Sequence, residues 1–412
     1  LPTTGTPFDS SQNGGVDGFV AVFPKALNAL NYASYLGSSG TDSMRSVRAI
    51  SNTSFVVSGV VAGNLSTVGP DYLVNEPDST RVGDEGYIAK FATLNTLTFG
   101  TYVGGDGTDS LSDVQVMADG RVAFSGYASS TTSFPAEVNS QAASGSTGHA
   151  GFIGTLPSGG GSFQYLDLIG GNDDDYFNGL AVDGMTLYWT GTTQSSNLPG
   201  TAGNYDTSYS GANLTIGGAN ANGLNVGDAL VARVTVPAVG APSGYEATYY
   251  GCSSGCGSGD GMLGLVIRLQ QPSCSTSKFL MVFGAHEQSE GAGAANFSTV
   301  NINDEPFHSA NSQGELDMLI SVFTQDLASL QFSTLVGGAL DDYFGDTGAP
   351  RGTNHLAVDG DKFYLGATVH SGNTGAGALV PRVIGDANES TAAGSVFDPD
   401  RSNPPSSTAD TH

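Results

Sequence analysis

Two acidic phrases of the chain contain residue types that could bind a metal ion. GGNDDDYFNGLAVDG runs from Gly170 to Gly184, and GGALDDYFGD runs from Gly337 to Asp346. Ca²⁺ prefers several oxygen ligands, and crowded carboxylates repel each other unless a cation lies between them. The sequence therefore predicts candidate Ca²⁺ sites at Asp173, Asp174, Asp175, Asp341 and Asp342, and at Asp42 and Asp109 in two similar phrases.

The same aspartates also have a structural explanation that needs no metal. An Asp that follows a Gly-rich turn can accept hydrogen bonds from backbone N–H groups, and the glycines before it would supply positive φ angles. This explanation accounts for one Asp in every copy of the phrase. No stretch fits the D-x-[DN]-x-[DN]-G pattern of a calcium loop. Turn capping is therefore the first interpretation, and Ca²⁺ binding is the alternative.

All three cysteines of the chain, Cys252, Cys256 and Cys274, lie close together in the sequence. Cys252 and Cys256 share one turn. A predicted strand of about seven residues, roughly 20 Å long, separates that turn from Cys274. A disulfide requires Cα atoms within about 7 Å of each other. We therefore predict a disulfide between Cys252 and Cys256, and no zinc site, because no histidine lies near the three cysteines.

The sequence shows no recognisable catalytic set. GCSSG at 251–255 matches G-x-S-x-G, but it lies in a recurring glycine turn and not between a strand and a helix. His286 and Glu287 lack the second histidine of a zincin motif. A carboxylate pair for glycoside hydrolysis stays open, because one end of the predicted fold is acidic. These acids recur from copy to copy, as turn residues do, so we predict that the protein is not an enzyme.

The elements that must position these residues form a repeat. The acidic phrase occurs five times, with its first glycine at 37, 104, 170, 251 and 337. A short apolar stretch precedes each phrase and two more follow it, all rich in β-branched and aromatic residues and bounded by Gly, Asp or Asn. These stretches predict four strands in each unit, A to D, with strand B leading into the phrase, and almost no helix.

A four-stranded meander cannot bury both of its faces alone, but copies packed radially can. The repeat therefore predicts an all-β fold, a β-propeller of four-stranded antiparallel blades. Five blades are favoured, and six or seven with added segments stay open. If strand A is innermost, carboxylates would ring one mouth of a central channel. The predicted units are 17–84, 85–149, 150–227, 228–316 and 317–386, with a lead-in at 1–16 and a polar tail at 387–412.

The unit resembles the SBBP repeat, a β-propeller repeat of bacterial cell-surface and secreted proteins. The matching stretches are YVGGDGTD at 102–109, FSGYASSTTSFP at 124–135, LAVDG at 180–184 and 356–360, and YWTGTTQSSNLP at 188–199. The opening LPTT is similar to the end of a D-strand loop in that family, so we expect a further repeat upstream in a longer precursor. The resemblance implies a bacterial protein that is secreted or displayed at the cell surface.

The charge of the chain limits its partners. The formal net charge is −26, from 13 basic and 39 acidic residues. Such a surface repels phosphate backbones and anionic membranes, so we expect no nucleic acid among the partners. No run of 18 apolar residues occurs, so we also expect no membrane insertion. The chain has only four lysines and many Gly, Ser and Thr residues, a composition typical of extracellular β proteins.

These observations predict a non-enzymatic extracellular or cell-surface protein with a structural or adhesive role, acting in protein–protein assembly. Polymerisation into filaments is one form of this prediction, because the segment 376–386 and the tail could pair with an edge strand. The alternative is a carbohydrate-binding or carbohydrate-processing propeller that uses the long D-to-A loops. On those loops Tyr72, Tyr205 and Tyr209 could stack on sugars.

Overall fold

The computed structural model describes residues 3–67, 69–129, 134–136, 138, 148–209, 214–216, 224–251, 261–270, 278–287, 316–336, 342–343, 356–359, 362–365 and 368–369. This part of the chain is all-β. Its only helical element is the 3-10 turn Leu65–Thr67. The predicted all-β class with almost no helix is therefore confirmed for the described residues.

The first strands are β1 (Gly18–Val22) and β2 (Tyr32–Leu36), which pair only with each other. Sheet I follows with β3 (Ser43–Ala49), β4 (Phe55–Val61), β5 (Glu85–Thr93) and β6 (Thr96–Val103). Sheet II consists of β7 (Asp109–Val116), β8 (Val122–Ala128), β9 (Ala150–Leu156) and β10 (Tyr165–Ile169).

Next come β11 (Asp175–Asp183), β12 (Thr186–Thr193), the small hairpin of β13 (Leu214–Ile216) and β14 (Leu224–Val226), then β15 (Asp228–Thr235) and β16 (Ser243–Tyr250). Sheet III has the order β11–β12–β15–β16. Sheet IV consists of β17 (Gly261–Gln270), β18 (Phe279–Glu287), β19 (Leu316–Thr324) and β20 (Leu330–Val336). The last strands are β21 (Asp342–Tyr343), β22 (Leu356–Asp359), β23 (Lys362–Leu365) and β24 (Thr368–Val369), where β21 pairs with β24 and β22 with β23.

The sheets do not coincide with the sequence units. A four-stranded meander of strands A to D was expected in each unit. Instead, each sheet takes strands C and D from one unit and strands A and B from the next, in the order C–D–A–B. The long D-to-A loops therefore connect neighbouring strands of one sheet. The turn that contains the phrase connects strand B of one sheet to strand C of the next. The expected grouping was wrong. Short turns connect strand B both to strand A and to strand C, so the sequence does not determine whether B and C belong to the same sheet.

Sheets I, II and III bury both of their faces. On β5, Ile88 packs against sheet II, and Tyr87 and Phe91 pack against the β1–β2 pair. On β9, Phe152 lies in the core shared with sheet I, and Ile153 lies in the core shared with sheet III. Successive residues of a strand point to opposite faces, so each such strand joins two hydrophobic cores. Cores on both faces explain why the strands are almost continuously apolar.

The first strand of each sheet packs against the preceding sheet. β7 contacts β3, β4 and β5, β11 contacts β7, β8 and β9, and β17 contacts β11, β12 and β15. Strand A lies between D and B in each of sheets I to IV, so in these sheets it cannot be the innermost strand. The expected ring of strand-A carboxylates around a channel mouth is therefore wrong for sheets I to IV.

Residues outside the strands cover the last strand of the β1–β2 pair and of sheets I and II. Thr4 forms a β-bridge with Ala33 on β2, and Val74 forms one with Gly100 on β6. Val138 does the same with Leu166 on β10. An exposed strand edge can pair with another chain, so these bridges protect the outer edges from such pairing. No helix in the described part of the chain has the length and hydropathy needed to span a lipid bilayer.

Candidate functional site

The recurring aspartates lie at one end of the sheets, where they cap the turns that lead from one sheet to the next. Asp42 Oδ2 accepts a hydrogen bond from Ser38 N at 2.5 Å, and Oδ1 accepts one from Ala62 N at 2.9 Å. Ala62 begins the D-to-A loop that follows β4. One carboxylate therefore ties the turn before β3 to the loop after β4.

The next two copies repeat this arrangement. Asp109 accepts from Gly105 N at 2.5 Å and from Ser129 N, at the start of the next D-to-A loop, at 3.0 Å. Asp175 Oδ2 accepts from Gly171 N at 2.8 Å and from Ser195 Oγ at 2.9 Å. The turn-capping interpretation is confirmed for Asp42, Asp109 and Asp175.

The glycines of the phrase serve a different purpose from the one expected. Gly37 and Gly104 do not have positive φ angles. They make room for the acids, because a Cβ on Gly37 would lie 2.8 Å from Asp42 Oδ2, and a Cβ on Gly104 would lie 2.7 Å from Asp109 Oδ2. The prediction of positive φ angles was wrong. Glycine is needed here because the carboxylate lies too close to leave room for a Cβ atom.

Burial makes two of these end-of-sheet acids hard to ionise. Asp175 is fully buried, and burial raises its pKa to about 7. Glu85, at the start of β5, is also buried, and its pKa is raised to about 7, again mainly by burial. One oxygen of each carboxylate, Asp175 Oδ1 and Glu85 Oε2, is buried without a hydrogen-bond partner among the described residues. Removing a carboxylate from water disfavours its charged form.

The richest acidic phrase does not gather its three aspartates around one point. Asp173 Oδ1 accepts from Asp174 N at 3.0 Å, and Asp174 Oδ1 accepts from His149 N at 2.7 Å. Within the described residues, no group of three or more His, Cys, Asp or Glu side chains could hold a metal ion. Calcium binding stays a prediction, because Asp341 and the side chain of Asp342 lie outside what is described.

A second polar cluster joins the first strands of sheets I, II and III. Asp113, on β7, is fully buried. Its Oδ1 lies 2.8 Å from Arg48 Nη2 and accepts from Ser46 Oγ at 2.7 Å, both on β3. Its Oδ2 accepts from Leu180 N on β11 at 3.1 Å. One side chain thus bonds the first strands of three sheets.

The first strand of sheet IV lies near the same cluster. Burial lowers the pKa of Arg268 on β17, with a smaller opposing effect from Asp113 and a further lowering by Arg48. Charges on β3, β7 and β17, the first strands of sheets I, II and IV, therefore act on one another. The repeat pattern does not indicate this cluster, because Asp113 has no counterpart in the other units and its partners come from several different units.

An aromatic cluster lies near the turn end of sheets II and III. The rings of Tyr127 and Tyr176 are 5.0 Å apart in an edge-to-face contact, and those of His149 and Tyr176 are 4.9 Å apart. The Tyr176 hydroxyl lies 2.8 Å from His149 Nδ1, which is 3.1 Å from Asp174 Oδ1. All four side chains are half-buried. The cluster presents aromatic rings and polar atoms together, as ligand sites do.

The loop tyrosines that could have stacked on sugars are used for packing. Tyr72 is buried and donates its hydroxyl hydrogen bond to Asp9 Oδ2 at 2.8 Å. Tyr205 packs edge-to-face with Tyr250, and Tyr209 is half-buried against the core of sheet III. Tyr72 is therefore not available to a sugar, and the other two have only part of their rings exposed.

A second acid recurs among the described residues and was not predicted from the sequence. The carbonyls of Asp9, Asp78 and Asp206 accept from the backbone N–H of an edge-strand tyrosine, at 3.1, 3.2 and 3.1 Å. Each carboxylate also accepts from a backbone N–H two residues later, at 2.8, 3.0 and 2.9 Å. The signal was an Asp followed by two hydroxyl residues, as DSS, DST and DTS. Residues 3–16 thus contact β2 as the D-to-A loops contact their own outer strands.

The predicted disulfide between Cys252 and Cys256 and the free Cys274 lie outside the described residues. The same holds for the 376–386 segment. No protein-family model matches the chain, and no curated protein is found to be its relative.

Proposed function

We propose that the chain is a five-bladed β-propeller of the SBBP type, acting as a non-enzymatic structural or adhesion protein outside the bacterial cell or on its surface. The observation that carries the proposal is that the recurring polar residues hydrogen-bond to the backbone of their own chain. The phrase acids Asp42, Asp109 and Asp175 and the loop acids Asp78 and Asp206 all accept backbone hydrogen bonds. The polar side chains that repeat from unit to unit thus build the scaffold.

The contacts of the inner strands support the propeller arrangement. Consecutive first strands touch along the series β3, β7, β11 and β17. In an open, flat stack, the first and last of these strands would be well separated by the two between them. Instead, Arg48 on β3 and Arg268 on β17 both act on Asp113. Strands that curve around a common axis account for this proximity.

An assembly role fits the surface of such a scaffold. The chain carries a net charge of −26, which favours solubility outside the cell and protein or cation-bridged partners over nucleic acids. The outer edges of the β1–β2 pair and of sheets I and II are already covered by loops. Contacts with other copies or other proteins would therefore use the ends of the sheets and the long loops.

Negative-stain electron microscopy of the native protein, with and without EDTA, tests the assembly role. We expect filaments, arrays or defined oligomers. If EDTA disperses these assemblies, the aspartates outside the described part of the chain gain a metal-binding role. Isolated discs in both conditions, together with a monomeric mass in solution at every concentration, would contradict self-assembly and leave only a role with other proteins.

The aromatic cluster favours a second candidate function, the binding of carbohydrate. Tyr127, His149 and Tyr176 form a half-exposed patch beside the carboxylate of Asp174, and aromatic faces stack well against sugar rings. We expect Tyr176→Ala to lower binding of a glycan-array hit at least tenfold. Tyr35→Ala, a substitution of another half-buried tyrosine away from the patch, is the control. Equal binding by both variants, or no glycan bound by the native protein, would exclude this function.

A further inference from the structure

The β1–β2 pair has an open edge and an open face. Among the described residues, no strand pairs with the edge of β1 that faces away from β2. Phe19 is 57% exposed and Phe23 is 53% exposed. In sheets I to IV the residues at the position of Phe23 are all fully buried: Phe91, Leu156, Val234 and Phe323.

The position of Phe19 shows the same contrast. Its counterparts, matched by their strand-B pairing partners, are Tyr87, Phe152, Leu230 and Leu319, each no more than 1% exposed. In those four sheets a D strand lies beside strand A, and a preceding sheet covers its face. The first pair has strands A and B but neither of these coverings. Its two phenylalanines form an apolar strip that other copies of the unit bury.

The last strands of the chain are the strand types that the first pair lacks. β22 pairs with β23 from Leu356↔Leu365 to Asp359↔Lys362, as β11 pairs with β12 from Leu180↔Trp189 to Asp183↔Thr186. β21 pairs with β24 as Asp342↔Val369, which matches Asp175↔Thr193 in sheet III. β21 and β22 are therefore two parts of a strand C, and β23 and β24 are two parts of a strand D. Together they form a half-sheet that has C and D and lacks A and B.

We propose that the open edge of β1 is the docking surface for this last half-sheet of the same molecule, so that β23 pairs with β1 and completes a fifth sheet. The register follows from the other four sheets, where β-strands D and A place an apolar pair opposite each other. These pairs are Phe55↔Phe91, Val122↔Leu156, Leu187↔Val234 and Leu280↔Phe323, and all eight side chains are buried. The same register places Phe363 opposite Phe23, Tyr364 opposite Val22 and Leu365 opposite Ala21.

The contacts of both halves favour this partner over a second copy of the chain. β21 contacts β19 and β22 contacts β17, as each first strand contacts the sheet before it. β1 contacts β3, as each strand A contacts the first strand of the next sheet. The last half-sheet therefore lies beside sheet IV and the first pair beside sheet I. Arg48 on β3 lowers the pKa of Arg268 on β17, so these two residues of sheets I and IV lie near each other. Because both halves belong to one chain, each is also present at a high effective concentration near the other.

An engineered disulfide tests the proposed register and the identity of the partner. Val22→Cys combined with Tyr364→Cys places two thiols opposite each other, and peptide mapping distinguishes their bond from bonds to the three native cysteines. We expect the bond to form within one chain. Val22→Cys combined with Phe363→Cys is the control, because neighbouring strand residues point to opposite faces and this pair should not link. Mixing the two single variants should give no covalent dimer.

Three results would overturn the proposal: a covalent dimer from the mixed single variants, a bond only in the control pair, or no bond in either pair. The first would show that the half-sheet docks on another copy of the chain. The inference rests on the five-bladed arrangement proposed above, but not on the assembly role. Isolated discs by electron microscopy together with an intramolecular disulfide would contradict the assembly role and leave this inference standing. Filaments together with an intermolecular disulfide would contradict this inference and leave the assembly role standing.

A second measurement does not depend on disulfide formation. Phe23→Ser should lower the thermal unfolding temperature by about 3–6 °C, because docking would bury this ring. Val239→Ser is the control, since Val239 is 91% exposed on the loop between β15 and β16, and it should have no effect. If Phe23→Ser proves as neutral as Val239→Ser, the apolar strip is open in solution and the proposal is wrong.

Discussion

Replacing Asp113 with alanine should lower the free energy of unfolding by about 2–4 kcal/mol. The substitution removes the acceptor for Ser46 Oγ and for the backbone N–H of Leu180, and the ion-pair partner of Arg48. Leu180 N and Ser46 would then be left in a buried site without their partner. The estimate lies below that for a fully buried pair, because the Arg48 side chain is 21% exposed and its charge can reach water.

Chemical denaturation followed by the fluorescence of Trp189, the only tryptophan, measures this effect. Trp189 is buried in sheet III, so its emission should report the loss of packing around the cluster. Val239→Ala, at a position that is 91% exposed, is the control and should change stability by less than about 0.5 kcal/mol. If Asp113→Ala were as mild as Val239→Ala, Asp113 would not hold the three sheets together.

Replacing Asp175 with asparagine should change how stability depends on pH. Burial raises the pKa of Asp175 from 3.8 to about 7 in the folded protein, so the fold binds this proton more tightly than the unfolded chain does. The stability from this proton is fully present below about pH 4 and is lost as the pH rises through about 7. The asparagine variant has no such loss. Between pH 4 and pH 8 its stability relative to the native protein should rise by about 3–4 kcal/mol.

Denaturant unfolding of both proteins at pH 4, 6 and 8 checks this prediction, since contributions from other acids cancel in the difference. Glu85→Gln should show the same sign and about 3 kcal/mol, because the pKa of Glu85 is raised from 4.5 to about 7. A flat difference for Asp175→Asn would show that its carboxylate is ionised without cost in the fold.

Local patterns along the chain were enough to predict the strands and the role of the phrase acids. Alternating apolar stretches gave the strands of sheets I to III, and the Gly-rich turns gave the caps at Asp42, Asp109 and Asp175. Both depend on interactions within a few residues, which the sequence displays directly. The loop acids Asp9, Asp78 and Asp206 were equally local, and the repeated tripeptide that marks them was overlooked.

The polar clusters could not be predicted in the same way. Asp113 meets Arg48 and Leu180 only because the first strands of three sheets lie side by side. Tyr127, His149 and Tyr176 come together from a strand end, a loop end and the next sheet. Asp113, Tyr127 and His149 have no counterparts in the other units, so the repeat that revealed the scaffold gave no signal that these residues would meet.

The sequence by itself determined an all-β chain, the positions of its strands and the turns that its aspartates cap, because hydrophobic alternation and turn chemistry are local. Only the tertiary structure decided which strands share a sheet. In a repeat of A, B, C and D, every strand has a neighbour on both sides, so A–B–C–D and C–D–A–B are equally compatible with the pattern. Hydrogen bonding across the long D-to-A loops, from Phe55↔Phe91 to Leu280↔Phe323, selected the second grouping. Among the described residues, that choice leaves half a sheet at each end of the array, with strands A and B first and strands C and D last.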